Sequence, residues 1–219
     1  MIDQTLLNPE DVEAIKRAIN YCHENGTTNI WDQEDLAHVK QKIKAHYRGL
    51  LGEICCYCCK NTHGEFNLVL DIEHILPKVH YLQFALSPFN LSVACKRCNM
   101  KVKGQDITFL NDPAVANEAP EDSVNYKFIH PNLDEYFDHL GYDSIIKNNK
   151  KLIKYTVVNS SPKGKYTYDY FKLRELEIDT LNAAQGIEIE QQKFSDALPL
   201  ETISEIELLL NDLKTIKRT

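Results

Sequence analysis

The chain has 219 residues, a formal net charge of −7, 43% hydrophobic residues and 26% charged residues, a balance typical of a folded globular protein rather than a disordered one. No apolar run reaches the roughly 18–20 residues of a membrane span. Residues 1–13 lack the pattern of a secretory signal, so we expect a cytoplasmic protein without membrane association.

The first 52 residues predict a helical region. Asn8 and Pro9 are typical of a helix start and Gly26 of a helix end, so we expect a helix between them. Cys22 falls on the apolar face of that helix and is interpreted as a core residue. A second helix is expected from Asp32 to about Leu51. Its predicted buried face comprises Leu36, Val39, Ile43, Tyr47 and Leu50.

Shorter elements follow in the middle of the chain. Residues 67–72 and 91–94 are predicted as strands, and a short helix is expected between them over about 79–85. A further helix is expected to begin after Cys98, and the pattern changes after Gly104. The remaining predictions are strands at 123–129 and 152–158, helices at about 133–140, 170–191 and 200–216, and a turn at Gly164.

Six of the seven cysteines fall in two tight clusters, residues 55–59 and 95–98. In a chain without a secretory signal, clustered cysteine pairs bind metal more often than they form disulfides. Two C-x-x-C turns brought together complete a closed, structural four-cysteine zinc site. An aromatic residue directly before the second cysteine favours the ligand set Cys55, Cys58, Cys95 and Cys98. The first cluster also offers an alternative first pair, Cys56 and Cys59.

The charge of the chain is unevenly distributed. A net charge of −7 argues against a protein that coats nucleic acid by electrostatics alone. Residues 45–108, however, carry 7 basic and 5 acidic side chains, whereas both flanking segments are acidic. The basic block also holds both cysteine clusters, so the sequence leaves room for a local nucleic-acid site there.

An ordered motif lies between and beside the cysteine pairs. It consists of Glu73-His74-Ile75, then Asn90-Leu91, then a final run from Cys95 through Cys98-Asn99 to Gly104. This set resembles the HNH endonuclease family over about residues 53–108. It looks most like the zinc-stapled HNH nucleases of bacterial anti-phage systems, including the nuclease subunits of Septu and of Septu-like retrons.

The resemblance implies a fold class and a domain organisation. We expect an α+β protein with a ββα-metal HNH core at residues 53–108 and a four-cysteine zinc staple. An N-terminal helical region, residues 1–52, would precede this core. A mainly helical C-terminal region, residues 109–219, would follow it and pack on the core or on a partner.

The resemblance also implies residue roles. His74 matches the general base that activates water, a role that suits an imidazole at neutral pH. Asn90 would brace the loop that positions His74. Glu73 and Asn99 would hold a catalytic Mg²⁺ or Mn²⁺, with Asp71 as a second candidate ligand. The expected products carry 5′-phosphate and 3′-hydroxyl ends.

Basic side chains around the motif are expected to contact nucleic-acid phosphates: Lys78, Lys96, Arg97, Lys101 and Lys103. The resemblance further implies an ATPase protein partner in antiviral defence. The alternative interpretation is a zinc-stabilised binding module that has lost catalysis and docks nucleic acid or a protein. The presence of all four motif residues, Glu73, His74, Asn90 and Asn99, argues against that alternative.

Overall fold

The computed structural model describes residues 6–27, 29–66, 68–148 and 150–179. A boundary between two compact units falls between Ile178 and Asp179, so the fold described below is that of the first unit. The helix predicted over 200–216 lies outside the described residues, and so does most of the helix predicted over 170–191. Among the described residues, no helix is long and apolar enough to cross a membrane.

Helix α1 (Pro9–Asn25) has the boundaries that the sequence predicts. The Asn8 side chain accepts a hydrogen bond from the Asp11 backbone, and the Asp11 carboxylate accepts one from the Asn8 backbone. These reciprocal bonds satisfy two amide groups that the first helical turn leaves without helical partners. At the other end, Gly26 adopts the left-handed conformation (φ 60°) that glycine tolerates best.

Helix α2 (Ala37–Leu50) follows two short 3₁₀ turns, Ile30–Asp32 and Glu34–Leu36. Four of the five side chains predicted on its buried face are buried: Leu36, Val39, Ile43 and Tyr47. The prediction for Leu50 is wrong, because this side chain is 65% exposed. Leu51 lies four residues after Tyr47 and packs against the core in its place.

Strands β1 (Leu70–His74) and β2 (Leu91–Cys95) form a two-stranded antiparallel sheet. Leu70 pairs with Cys95 and His74 pairs with Leu91, so the sheet joins one end of the loop after His74 to the other. β1 begins at Leu70, three residues later than predicted, and just before it Val69 N donates to Phe66 O at 3.2 Å. A π-helical segment, Arg97–Lys103, directly follows β2.

The remainder of the described chain alternates short helices with a hairpin. Its elements are α3 (Pro113–Glu118), α4 (Tyr136–His139), β3 (Leu140–Lys147), β4 (Lys150–Val157), α5 (Pro162–Tyr170) and the short strand β5 (Ile178–Asp179). β3 and β4 pair antiparallel, which confirms the strand predicted at 152–158. The strand predicted at 123–129 is wrong, because Asp122 caps a 3₁₀ turn at Ser123–Asn125.

The fold is α+β, with two small antiparallel sheets packed among short helices. Buried apolar side chains from Ala14 to Leu173 form one hydrophobic cluster. Tyr57 is fully buried within it, stacked on Phe171 at 4.2 Å between ring centroids and edge-on to Phe128 at 5.6 Å. The N-terminal helices, the cysteine-rich middle segment and the chain up to Leu173 therefore share a core.

The turn predicted at Gly164 is wrong: this glycine lies inside α5, which Ser161 caps. We expect Gly164→Ala to destabilise the protein by roughly 2 kcal/mol, because the added Cβ would overlap the carbonyl oxygen of His139. Gly49→Ala in α2 is the matched control. Its Cβ would meet no atom within 4 Å, so it should stabilise the protein by roughly 0.5–1 kcal/mol. Urea unfolding measures the free energy of unfolding of both variants. Changes of the same sign in the two variants would contradict the close packing at Gly164.

Candidate functional site

Four buried cysteines form the first part of the site: Cys55, Cys58, Cys95 and Cys98. Their sulfur atoms all lie within 4.8 Å of one another, and those of Cys58 and Cys95 are 3.8 Å apart. Sulfur atoms around a tetrahedral zinc, with Zn–S bonds of roughly 2.3 Å, are separated by about 3.8 Å. The group therefore has the ligand type, the burial and the spacing to hold a zinc ion.

The two other cysteines of the first cluster stand outside this group. Burial raises the pKa of the Cys56 thiol, and it raises the pKa of the Cys59 thiol to about 12. Cys59 also has a positive φ of 52°, at the point where the chain leaves the cysteine turn. Of the two first pairs that the sequence offers, the structure brings Cys55 and Cys58 next to the second cluster.

A buried polar network runs from the cysteine turn to the end of β1. The Tyr57 hydroxyl donates to the Glu73 carboxylate at 3.1 Å. Glu73 forms an ion pair with Lys103 at 2.7 Å, and the same ammonium donates to the backbone carbonyl of His74 at 2.8 Å. Glu73 and Lys103 are almost completely buried. Burial raises the pKa of Glu73, and the nearby Lys103 charge opposes that rise.

This network places two of the sequence-predicted site residues inside the protein. Glu73, expected to hold a catalytic cation, faces Lys103 and Tyr57. Lys103, expected to contact a phosphate, is only 3% exposed. The alternation of side chains along a strand could not reveal this, since it depends on two partners that are distant in sequence.

Asn90 is buried at the end of the loop that follows β1. Its side-chain oxygen accepts from Leu76 N at 2.6 Å, and its amide nitrogen donates to the carbonyls of Leu76 and Phe84 at 3.1 and 3.0 Å. The backbone carbonyl of Asn90 in turn accepts from Ile75 N at 3.0 Å. The Asn90 side chain thus connects the loop at Leu76 and at Phe84 to the residue directly before β2.

A surface cleft of about 460 Å³ lies beside this loop. β1 and the residues after it contribute Asp71, Ile72, His74 and Lys78, and the π-helical segment contributes Asn99. The N-terminal region contributes Trp31, Lys40, Gln41 and Lys44. The structure therefore brings two motif residues, His74 and Asn99, into one cleft with Asp71, whereas Glu73 lies outside it.

His74 has two competing partners on one ring nitrogen. The Trp31 indole N–H lies 2.6 Å from Nε2, and the Ala85 carbonyl oxygen lies 3.0 Å from the same atom. An indole N–H can only donate, so the first bond requires a proton on Nδ1, whereas the second requires it on Nε2. The two bonds exclude each other, and the choice between them decides which nitrogen can accept a proton.

The imidazole of His74 is neutral at pH 7. Burial lowers its pKa to about 4, and the positive charges of Lys78 and Lys103 add to this effect. Asn99 donates to the Ile72 carbonyl at 3.1 Å, which leaves its side-chain oxygen as an acceptor. Asp71 is partly exposed and lies 3.5 Å from the Lys44 ammonium. The cleft thus offers a carboxylate, an amide oxygen and a neutral imidazole.

The basic side chains predicted from sequence have different positions. Lys78 lines the cleft. Arg97 donates to the carbonyls of Phe171 and Lys172 at 2.8 and 2.9 Å, and so fastens the segment after α5. Lys96 and Lys101 are exposed outside the cleft lining. Sequence reasoning missed Lys40 and Lys44, although an α2 sequence with four basic and no acidic residues was a usable signal.

Two curated proteins are similar to parts of the chain. Protein ea31 of Escherichia phage lambda is 33% identical over 76 residues, which make up 33% of this chain and 24% of ea31. Septu protein PtuB of Bacillus thuringiensis is 26% identical over 122 residues, which make up 56% of this chain and 37% of PtuB. The chain thus spans well under half of either relative. No protein-family model matches it, and no solved structure matches it significantly.

The cysteine geometry predicts one zinc ion per chain. Cys98→Ser should remove most of the bound zinc and lower the midpoint of urea unfolding, because a closed site needs all four thiolates. Cys59→Ser is the matched control, since this buried cysteine lies outside the group, and it should retain the metal. Elemental analysis of both purified variants checks the prediction. Zinc loss from both variants would show that Cys56 and Cys59, rather than Cys55 and Cys58, complete the site.

Proposed function

We propose that the chain is a metal-dependent HNH endonuclease that hydrolyses phosphodiester bonds in DNA or RNA. The observation that carries this proposal is the cleft in which His74 lies with Asp71 and Asn99. The ordered motif over residues 53–108 supports it. So does the order of elements, two antiparallel strands followed by a helical segment, which suits a ββα-metal core between residues 1–52 and 109–219.

His74 is the proposed general base. When its Nε2–H donates to the Ala85 carbonyl, its Nδ1 lone pair can accept the proton of an attacking water. The indole of Trp31 favours the other tautomer, so it must release Nε2 for this step. A phosphodiester anion in the cleft would raise the pKa of the imidazole towards neutrality, because a negative charge stabilises the imidazolium form.

Asp71 and Asn99 are the proposed protein ligands of a catalytic Mg²⁺ or Mn²⁺, whose preferred donors are oxygens. We propose Asp71 rather than Glu73 as the carboxylate ligand, because Asp71 lines the cleft and Glu73 is paired with Lys103 inside the protein. A divalent cation there would stabilise the charge that develops on the phosphate and on the leaving 3′ oxygen. Asn90 positions His74 by holding the loop after β1.

We further propose that the enzyme acts in the cytoplasm as the effector nuclease of a bacterial anti-phage system, together with an ATPase partner. The similarity to Septu protein PtuB supports this role. The acidic charge of the segments outside the basic block is a second argument, since a nuclease of net charge −7 should bind nucleic acid weakly on its own.

His74→Ala should reduce cleavage by at least about a hundredfold, since it removes the general base, and should leave the fold and the zinc content unchanged. His63→Ala is the matched control because this exposed histidine lies outside the cleft lining. The assay uses plasmid, single-stranded DNA and tRNA with Mg²⁺ or Mn²⁺, with and without the proposed ATPase partner. Undiminished cleavage by His74→Ala would contradict the mechanism. Metal-independent binding without cleavage by any form would favour the silent binding module.

The two neighbouring carboxylates should respond differently to neutralisation. Asp71→Asn should raise the Mg²⁺ concentration for half-maximal cleavage at least about tenfold and change stability by under ~1 kcal/mol. Glu73→Gln should destabilise the fold by about 3 kcal/mol, because it leaves the buried Lys103 charge without its counterion. Metal titrations and urea unfolding separate the two effects. A stable Glu73→Gln variant whose cleavage needs a different Mg²⁺ concentration would show that Glu73 is the cation ligand.

A further inference from the structure

We infer that α2 forms one wall of a nucleic-acid binding groove, in which Lys40 and Lys44 hold backbone phosphates of the substrate beside His74. The inference rests on the proposed nuclease function. It adds to that function a substrate-binding surface that lies outside the ordered motif, in the N-terminal helical region. The ligand chemistry is that of a phosphodiester backbone, which DNA and RNA share.

The positions of the two lysines carry the inference. Lys40 and Lys44 are one helical turn apart on α2, and both line the cleft that contains His74. Lys78, from the loop after β1, lines the same cleft. Three ammonium groups thus accompany one carboxylate, Asp71. A cleft lined mainly by one sign of charge concentrates its field and attracts ligands of the opposite sign, here phosphates.

The other basic residues of α2 have structural partners, which sets the two cleft lysines apart. Lys42 forms an ion pair with the buried Asp11 at 2.6 Å and so fastens α2 to α1. Arg48 forms an ion pair with Glu53 after the helix end. Lys40, in contrast, donates to the backbone carbonyl of Trp31 at 2.6 Å. Because this carbonyl is neutral, the bond does not neutralise the charge of the Lys40 ammonium.

The ion pair of Lys44 holds its side chain less tightly than the ion pairs of the structural lysines do. Its ammonium lies 3.5 Å from Asp71, which is longer than the ion pairs of Lys42 and of Lys103. If Asp71 binds a divalent cation, its charge is shared with that cation and Lys44 becomes available to a phosphate. The geometry therefore places a phosphate contact directly next to the proposed cation ligand.

The sequence also provides a reporter in the groove. Trp31 is the single tryptophan of the chain and lines the cleft together with Lys40 and Lys44. Its fluorescence should change when a nucleic-acid strand enters, because the indole leaves His74 or is covered by a base. Binding at this groove can thus be followed without any label.

The experiment measures binding by the His74→Ala variant of the full chain, so that the probes stay intact. The probes are a DNA duplex, a DNA single strand and an RNA single strand of equal length, each titrated at several salt concentrations. Replacing both lysines, Lys40→Gln with Lys44→Gln, should weaken binding roughly 10–100-fold at low salt. The slope of log affinity against log salt should fall by about 1.8 for the duplex or about 1.4 for a single strand.

The control pair is Lys16→Gln with Lys165→Gln, which removes two exposed charges outside the cleft lining. This pair should leave the salt slope nearly unchanged, and Lys40→Arg with Lys44→Arg should retain binding. An equal loss from both glutamine pairs, or no binding of any probe by His74→Ala, would overturn the inference. If binding depends on Lys40 and Lys44 but the wild-type chain cleaves none of the probes, the result supports the binding groove and contradicts the proposed nuclease activity.

Discussion

The convergence of four thiols is the constraint on which the rest of the structure depends. Cys55 and Cys58 come from the turn after α2, and Cys95 and Cys98 from the junction of β2 with the π-helical segment. The sheet between them has only two strands of five residues, too little to be stable in isolation. A zinc ion at this point would hold the cysteine turn to the end of β2 in addition to the apolar contacts of both segments.

The same constraint determines the position of the proposed base. The cysteine turn carries Tyr57 into the centre of the core, where its hydroxyl reaches Glu73. Glu73 orients Lys103, and Lys103 holds the backbone carbonyl of His74. Each charged member has two partners, so the large cost of burying an ion pair is offset by hydrogen bonds as well as by the pair itself. The four-cysteine group and the cleft are thus linked through one buried network.

The sequence predicts only part of this site. Features that depend on neighbouring residues could be predicted, whereas features that depend on residues distant in sequence could not. Local spacing determines the capping of α1, the two C-x-x-C turns and the order of the motif, so these were predictable. The orientation of Glu73 was not, because Tyr57 and Lys103 lie 16 and 30 residues away. β3 was missed since Gly141 and Asp143 are weak strand formers, and its pairing with β4 compensates for them.

The N-terminal region shows a second limit of sequence reasoning. Charge summed over residues 1–44 is negative, although α2 itself carries only basic charges. Packing of α1 on α2 buries Asp11 against Lys42 and leaves Lys40 and Lys44 on the side of the cleft. A net charge therefore says little about the field at a site, whereas the contacts of each lysine show which ones pair with acidic residues of the core and which ones line the cleft.

The most direct test of the account is cleavage in water enriched in ¹⁸O, with Mg²⁺, followed by mass spectrometry of both product ends. In the proposed mechanism, an activated water attacks a phosphodiester and displaces the 3′ oxygen. The expected products are a 5′-phosphate that carries ¹⁸O and a free 3′-hydroxyl without label. A cyclic phosphate, a labelled 3′-phosphate, or the same products in the absence of a divalent cation would contradict it.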